Sequence, residues 1–322
     1  MPARKTKARL RTIYARQEPF RFGSDYQAAT YATPKEAPRR SRPSQLWVDR
    51  FGRPLHLMST PECAAACLAL RNPRVVEIHD QSVLWPRAHM NPLAALDPDR
   101  ANRYPAFKGT LSVAERLGYL EFHPTLTYRR KDGSKNSVPW PFQGDLLLFL
   151  KDADALWCKN WNIKESLSDF SSVEPSTEEK EKREREKKRA RYEIESVYYG
   201  EADIETVPVT SEEIGPTLAS NLLKLYGYSA LEPGMSPDAV LEIEDALQAG
   251  MTTGIPPSAT LARFVLHGRC TREQGRRVFY RAIWEERLKV DLFSPILIDR
   301  PLLPETDNVL EFFSDWFDRC PT

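Results

Sequence analysis

Residues 143–165 read QGDLLLFLKDADALWCKNWNIKE. Two apolar runs, 146–150 and 155–163, flank a short polar turn at 151–154. That is the pattern of a β-hairpin in a buried sheet. Asp145 opens the first strand and Lys164 closes the second. In antiparallel strands joined by a short turn, the start of one lies beside the end of the other. Asp145 and Lys164 are therefore expected as neighbours at one edge of the sheet. Asn162 and Lys164, two apart, share a face, and Glu165 points the other way. An acid and a lysine so placed suit metal-dependent phosphodiester cleavage. The acid holds a divalent cation, and the lysine positions water and offsets negative charge. The same pair also reads as an ordinary salt bridge at a sheet edge.

Upstream of the hairpin, WVDRFGRPLHLMS predicts a first hairpin turning at 51–54. STPECAAACLALRNP follows. Ser59 or Thr60 caps a helix, Pro61 suits its first turn, and Pro73 lies past its end. Glu62 falls in that first turn, where a glutamate taken alone reads as a surface residue favoured by the helix dipole. Residues 74–84 read as a strand, 86–105 as a long proline-rich loop, 110–122 as a short helix and 123–128 as a strand before a turn at 131–135.

Downstream, residues 178–191 carry five acids and eight bases. Their i,i+4 spacing predicts a solvated helix. A basic face toward DNA is the other reading. Tyr192, Ile194, Val197 and Tyr198 continue it with an apolar stripe for packing on the sheet. Residues 202–210 read as a further strand. The order is then helix, strand, strand, strand, helix, strand: an α/β sheet flanked by helices.

From 211 the chain turns mostly helical, over 211–226, 236–249, 257–267 and 271–287. Thr271 and Gln274 form a capping-box pattern. Val278, Phe279, Ala282 and Ile283 line an apolar face. Residues 288–302 read as a short hairpin, so the end suggests a winged-helix domain. Arg276, Arg277 and Arg281 then become candidates for phosphate or an acidic partner. The aromatic tail 309–320 is either core or a docking segment.

The chain has 322 residues, 41% of them hydrophobic, and a formal net charge of +1. That allows one large domain or two smaller ones. Residues 1–45 are basic and irregular, with Tyr14, Phe20, Phe22, Tyr26 and Tyr31 interleaved. They are expected to be a largely disordered tail suited to phosphate backbones or to a protein partner. The five cysteines, 63, 67, 158, 270 and 320, are odd in number and form no C-x-x-C pair. A disulfide framework and a zinc cluster are not expected. Cys63 and Cys67, four apart on a helix, are expected to pack. The five histidines have no ligand spacing. No apolar run reaches membrane-spanning length and no apolar core follows the N-terminal charges, so the reading is a cytoplasmic protein.

These parts together resemble the core of PD-(D/E)xK restriction-type nucleases. Within them the chain resembles TnsA, the endonuclease subunit of heteromeric bacterial transposases. The likeness rests on LHLMSTPECAAACLALRNPRVVEIHDQ (55–81), QGDLLLFL (143–150), the NIK triplet (162–164) and RRVFYRAIWEERLKVDLFSPILI at the wing-like end. It implies a nuclease domain over 46–210 and a helical winged-helix-like domain over 211–322. It makes Glu62, Asp145 and Lys164 the catalytic set. Glu62, Asp145 and the main-chain carbonyl of Ile163 would hold Mg²⁺, with Mn²⁺ substituting, and Lys164 would orient water. The superfamily usually has an acid two residues before the lysine, and TnsA-type proteins tend to have glutamine. Here it is Asn162, which can touch a metal through its amide oxygen but removes a charge.

The implied activity is cleavage of transposon 5′ ends, while a DDE-type subunit cuts and joins the 3′ ends. An AAA+ regulator would be a further partner, and the protein would work at the bacterial nucleoid. A stand-alone restriction or repair nuclease is one alternative. A non-catalytic DNA-binding adaptor with the same fold, which Asn162 favours, is another. Arg129, Arg130 and Lys131 are a further candidate DNA contact.

Overall fold

Leu146–Lys151 and Leu156–Lys164 pair antiparallel, with Leu146 opposite Trp161 and Lys151 opposite Leu156. The hairpin expected around residues 145–164 is therefore present, and it is the centre of the larger sheet. The structure is a computed structural model that describes residues 5–38, 41–130, 132–153, 155–170 and 179–319. Lys131, Asp154, Cys320, the Arg39–Arg40 pair and Glu178, which opens the charged run, lie outside the described residues.

The chain is mixed α/β. Its strands are β1 (Ser44–Val48), β2 (Arg53–Leu57), β3 (Val75–Asp80), β4 (Val83–Leu84), β5 (Thr125–Arg129), β6 (Lys135–Pro139), β7 (Phe142–Gln143), β8 (Leu146–Lys151), β9 (Leu156–Lys164) and β10 (Glu205–Thr210). Its helices are α1 (Lys7–Gln17), α2 (Thr60–Arg71), α3 (Pro92–Leu96), α4 (Thr110–Arg116), α5 (Glu179–Gly200), α6 (Ser211–Ile214), α7 (Pro216–Ser229), α8 (Pro237–Thr253), α9 (Pro257–Leu266), α10 (Arg272–Trp284), α11 (Val309–Phe312) and α12 (Ser314–Phe317). The main sheet has the order β10-β9-β8-β3. β10 runs parallel to β9, and the other pairs are antiparallel. β1–β2, β4–β7 and β5–β6 form three small antiparallel pairs.

Two compact units divide the chain. One holds residues 1–66, 73–213 and 316–322, and the other holds 67–72 and 214–315. In the first unit the apolar stripe of α5 does what its spacing implies. Ile194, Tyr198 and Tyr199 are buried and join a cluster with Leu147, Phe149 and Cys158 of the hairpin. Trp161, fully buried on the other face of β9, donates from its indole to the carbonyl of Trp316 at 3.1 Å. A cavity left by truncating such a residue costs about 3–5 kcal/mol.

The N-terminal segment is not a free tail. Thr6 caps α1 by accepting from the Arg9 amide at 3.2 Å. Leu10, Ile13, Tyr14 and Gln17 recur at i, i+3, i+4, i+7, and Ile13 is buried against Ala29, Val83 and Trp85. Tyr26 and Ala28 are buried as well. The basic residues on the outer side of this helix hid its apolar stripe.

Smaller differences have local causes. The first turn lies at 49–52, closed by Gly52 in the left-handed region, which glycine adopts without a Cβ penalty. Arg53 is already strand and buried. Loop 86–105 contains α3 and a 3₁₀ turn. The strand expected over 74–84 breaks at Gln81, which has φ +50°.

In the second unit, the α10 capping box is present, and Val278, Phe279, Ala282 and Ile283 are all buried. The helix expected over 211–226 is divided at Gly215 into α6 and α7. The hairpin expected over 288–302 does not form. Among the described residues only an isolated bridge joins Val290 to Pro304. Pro295, Pro301 and Pro304 lack amide donors, so a ladder cannot propagate through this stretch. Tail residues Val309 and Phe313 are buried in this unit and Phe317 in the first, which favours core packing over a docking arm for these side chains.

Candidate active site

Asp145 enters β8 next to the end of β9, and the expected pair is formed. Its Oδ2 accepts from Lys164 Nζ at 3.3 Å and from the Ile163 amide at 2.8 Å. Lys164 Nζ also donates to the Ile163 carbonyl at 2.7 Å. The ammonium thus sits against two of the oxygens expected to hold a metal, those of Asp145 and the Ile163 carbonyl. It also lies 5.7 Å and 5.9 Å from the ring centroids of Tyr192 and Phe170, which limits where it can swing.

Glu62 is in the first turn of α2, as expected, but it is 6% exposed rather than a surface residue. Its Oε2 accepts from the Met58 amide at 2.9 Å and from Gln81 Nε2 at 3.0 Å. Its Oε1 accepts from Ser59 Oγ at 2.9 Å. No lysine or arginine pairs with it among the described residues. Burial first, and the charge of Asp145 second, push its carboxyl up to about 7, against the help of Met58, Ser59 and Lys164. Glu62, Asp145 and Lys164 are therefore within electrostatic reach of one another, and the lysine contacts Asp145 alone of the two acids.

Gln81 explains part of this convergence. Its amide donates to the Asp145 carbonyl at 3.0 Å, its carbonyl accepts from the Ala29 amide at 3.2 Å, and its side chain holds Glu62. A positive φ at a non-glycine residue is a local strain of about 1–2 kcal/mol, of the kind found where side-chain placement matters. The sequence reading passed over Gln81, whose only signal was a polar residue ending a buried strand.

Asn162 shares a face with Lys164, as expected, but its amide group is turned downward. Its Nδ2 donates to Glu195 Oε2 at 3.1 Å, and Asn160 Nδ2 donates to Glu195 Oε1 at 3.1 Å. Glu195 is 1% exposed on α5. Its carboxyl is raised by burial, lowered by Arg191, and raised again by Asp145. Arg191 lies 3.7 Å from it and donates to the Gln143 carbonyl at 2.6 Å. The Asn160 and Asn162 amide oxygens are buried and have no hydrogen-bond partner among the described residues. Leaving such an oxygen dry costs about 1–3 kcal/mol. Two buried acceptors are therefore left unused on β9, the strand that ends in Lys164. Glu195 was absent from the sequence reading because it lies on a helix 33 residues from Asn162.

Among the described residues no group of three or more His, Cys, Asp or Glu could hold a metal. The donor set is smaller: Asp145 Oδ2 and the Ile163 carbonyl, which meet at Lys164, with the Glu62 carboxyl in electrostatic reach of Asp145. It still fits a hard divalent ion, which takes oxygen ligands and keeps several waters. The Lys164 ammonium already demonstrates that Asp145 Oδ2 and the Ile163 carbonyl converge on one cation.

In the other unit the three arginines are partly spoken for. Arg277 pairs with Glu273 at 3.2 Å, and Arg281 pairs with Glu285 at 2.7 Å and Glu232 at 2.8 Å. Arg276 is exposed, 5.7 Å from the Tyr228 ring centroid. Arg130 bonds Asn136 at 3.1 Å. No protein-family model matches the chain, and no curated protein matches it significantly. Among the described residues no helix is long and apolar enough to cross a membrane.

Proposed function

We propose that this chain is a Mg²⁺-dependent DNA endonuclease of the TnsA type, cutting the 5′ ends of a transposon. The observation that carries it is the convergence of a buried glutamate raised to about 7, an aspartate and a strand-end lysine. Two neighbouring acids, only one of them paired with a lysine, favour a further positive charge near them. Asp145, Glu62 and the Ile163 carbonyl would hold Mg²⁺, with Mn²⁺ as substitute, and the unpaired Asn162 amide oxygen is a further candidate ligand. When bound, the ion supplies charge neutralisation at the phosphate being cut.

The chain's own residues do the rest. Lys164, released from Asp145 and Ile163, donates to the attacking water or to a non-bridging oxygen of the phosphodiester. Gln81 and Ser59 keep Glu62 aimed at the site. Glu195, through Asn162 and Asn160, fixes the strand from which Lys164 projects. Water attacks phosphorus, one P–O bond breaks, and the released oxygen takes a proton. The mixed β10-β9-β8-β3 sheet supports a restriction-type core. The helical second unit would serve the DDE-type subunit and the AAA+ regulator, with no strand-built wing.

The test is strand cleavage of transposon-end DNA in Mg²⁺ and Mn²⁺, with the partner subunits present. Wild type is expected to cut the 5′ strand, and Asp145→Ala or Lys164→Ala to lose about 10³-fold or more. Cleavage that survives Asp145→Ala would refute the site. A second reading, the non-catalytic adaptor, is favoured by Asn162 standing where an acid is usual. It predicts no cleavage by any form and unchanged transposition in Asp145→Ala.

A further inference from the structure

Helix α5 carries a pattern that the site alone does not use. Residues 184, 187, 188, 191 and 195 recur at three- and four-residue spacing, so they share one face. At one end of this face Glu195 holds the asparagines under the candidate site. Toward the helix N-terminus the same face presents Lys187, Lys188 and Arg191. Opposite them the N-terminal segment brings Lys5 and Arg9. These five cations line a groove of about 410 Å³.

The groove reaches residues that support the site. Its lining includes Met58 and Gln81, which hold Glu62, and Gln143, whose carbonyl Arg191 holds. Two acids also line it, and both are engaged. Glu36 is held by Arg16 at 2.8 Å, and Glu184 is 3.7 Å from Lys187. Burial first, and then the like charge of Lys187, push Lys5 down, so the two ammonium groups are within electrostatic reach of each other. Lys5 Nζ is 5.7 Å from the Trp140 ring centroid, which positions it at the groove wall. From Lys188 to Glu195 the helix rises about 10 Å. That is about three charges at the ~3.4 Å axial spacing of one DNA strand.

We infer that this groove, built by the N-terminal segment and one face of α5, carries the phosphate backbone of duplex DNA into the candidate site. The inference rests on the nuclease reading for its substrate and adds the path that the substrate takes. The N-terminal segment is then half of a binding groove, folded before DNA arrives.

The experiment is fluorescence anisotropy of a short labelled duplex in chelator, across a salt series. The full chain is compared with Lys187→Ala/Lys188→Ala, with Lys5→Ala, and with Lys182→Ala/Arg189→Ala. The last pair removes the same charge from the opposite face of the same helix. Each lost phosphate contact lowers the slope of log K against log salt by about 0.9. The groove pair is expected to lower it by about 2, Lys5→Ala by about 1, and the opposite-face pair by less than half a unit.

Equal loss in the two pairs, or no loss in the groove pair, would overturn the groove and leave the nuclease reading standing. A wild type that does not bind duplex DNA would overturn both. DNA binding through the groove with no cleavage under any condition would sink the nuclease reading alone.

Discussion

The first unit contains two clusters of the same composition, two acids and one base, and they are built in opposite ways. In one, Arg53 Nη1 meets Asp80 at 2.8 Å and Nη2 meets Glu77 at 2.9 Å, with side chains 5% exposed or less. Further acceptor capacity is used by the Ile78 and His56 amides at 2.9 Å and 2.7 Å. The guanidinium fork reaches both carboxylates at once. In the other, Lys164 touches only Asp145, and Glu62 is left with neutral donors and a carboxyl near 7. The first cluster is closed to further ligands and holds β2 against β3. The second lacks a charge, and its acids face the end of the sheet. Equal residue types thus separate into a structural clamp and a reactive site by which cation is used and how many acids it reaches.

The contrast breaks most easily at the bases. Arg53→Ala leaves two buried carboxylates unpaired and is expected to cost about 3–5 kcal/mol. Lys164→Ala, in a partly exposed pair, is expected to cost no more than about 1 kcal/mol. Urea denaturation of the two variants reads this directly. Similar losses would mean the clusters do not differ as described.

A smaller effect sharpens the comparison through pH. The folded Glu62 carboxyl is raised to about 7 from an ordinary 4.5. Between those values the folded chain holds a proton that the unfolded chain has released, so stability falls as pH rises through that window. Glu62→Gln removes the cost. Its amide oxygen can accept from Met58 and Gln81, and its amide nitrogen can donate to Ser59. The variant is expected to match wild type near pH 4 and to be about 1–3 kcal/mol more stable at pH 8. A variant less stable than wild type at pH 8 would contradict the raised carboxyl.

Subtler still is the coupling between the acids. Carbon-detected NMR titration of Glu62 is expected to move down toward the ordinary carboxylate range in Asp145→Asn, where the repelling charge is gone. It is expected to move up in Lys164→Ala, where the helping charge is gone. A titration indifferent to both changes would show that the residues are not one site.

Much of this arrangement could be read before the fold was known, for physical reasons. The Asp145–Lys164 pairing followed from strand alternation and a short turn, both local rules. Glu62 was placed on its helix by Pro61 and the alanine run that follows, but its burial was not legible, because that depends on Met58 and Gln81 folding over it. Glu195, and the burial of Asn160 and Asn162 against it, were invisible for a similar reason. Polar residues in a buried strand make sense only beside a partner supplied from another element. The N-terminal helix was misread because composition outweighed spacing, although Leu10, Ile13, Tyr14 and Gln17 carried the period. The expected wing failed because apolar content between 288 and 302 was given more weight than its prolines.

The most direct measurement is calorimetric titration of Mn²⁺ into the purified chain at pH 8 and pH 6, beside Asp145→Ala and Glu62→Gln. Proton competition at a carboxyl near 7 predicts binding that is tighter at pH 8 than at pH 6, and lost or strongly weakened in both variants. Binding of equal strength in wild type and Asp145→Ala, or none in wild type at either pH, would contradict a metal-dependent site built on these two acids.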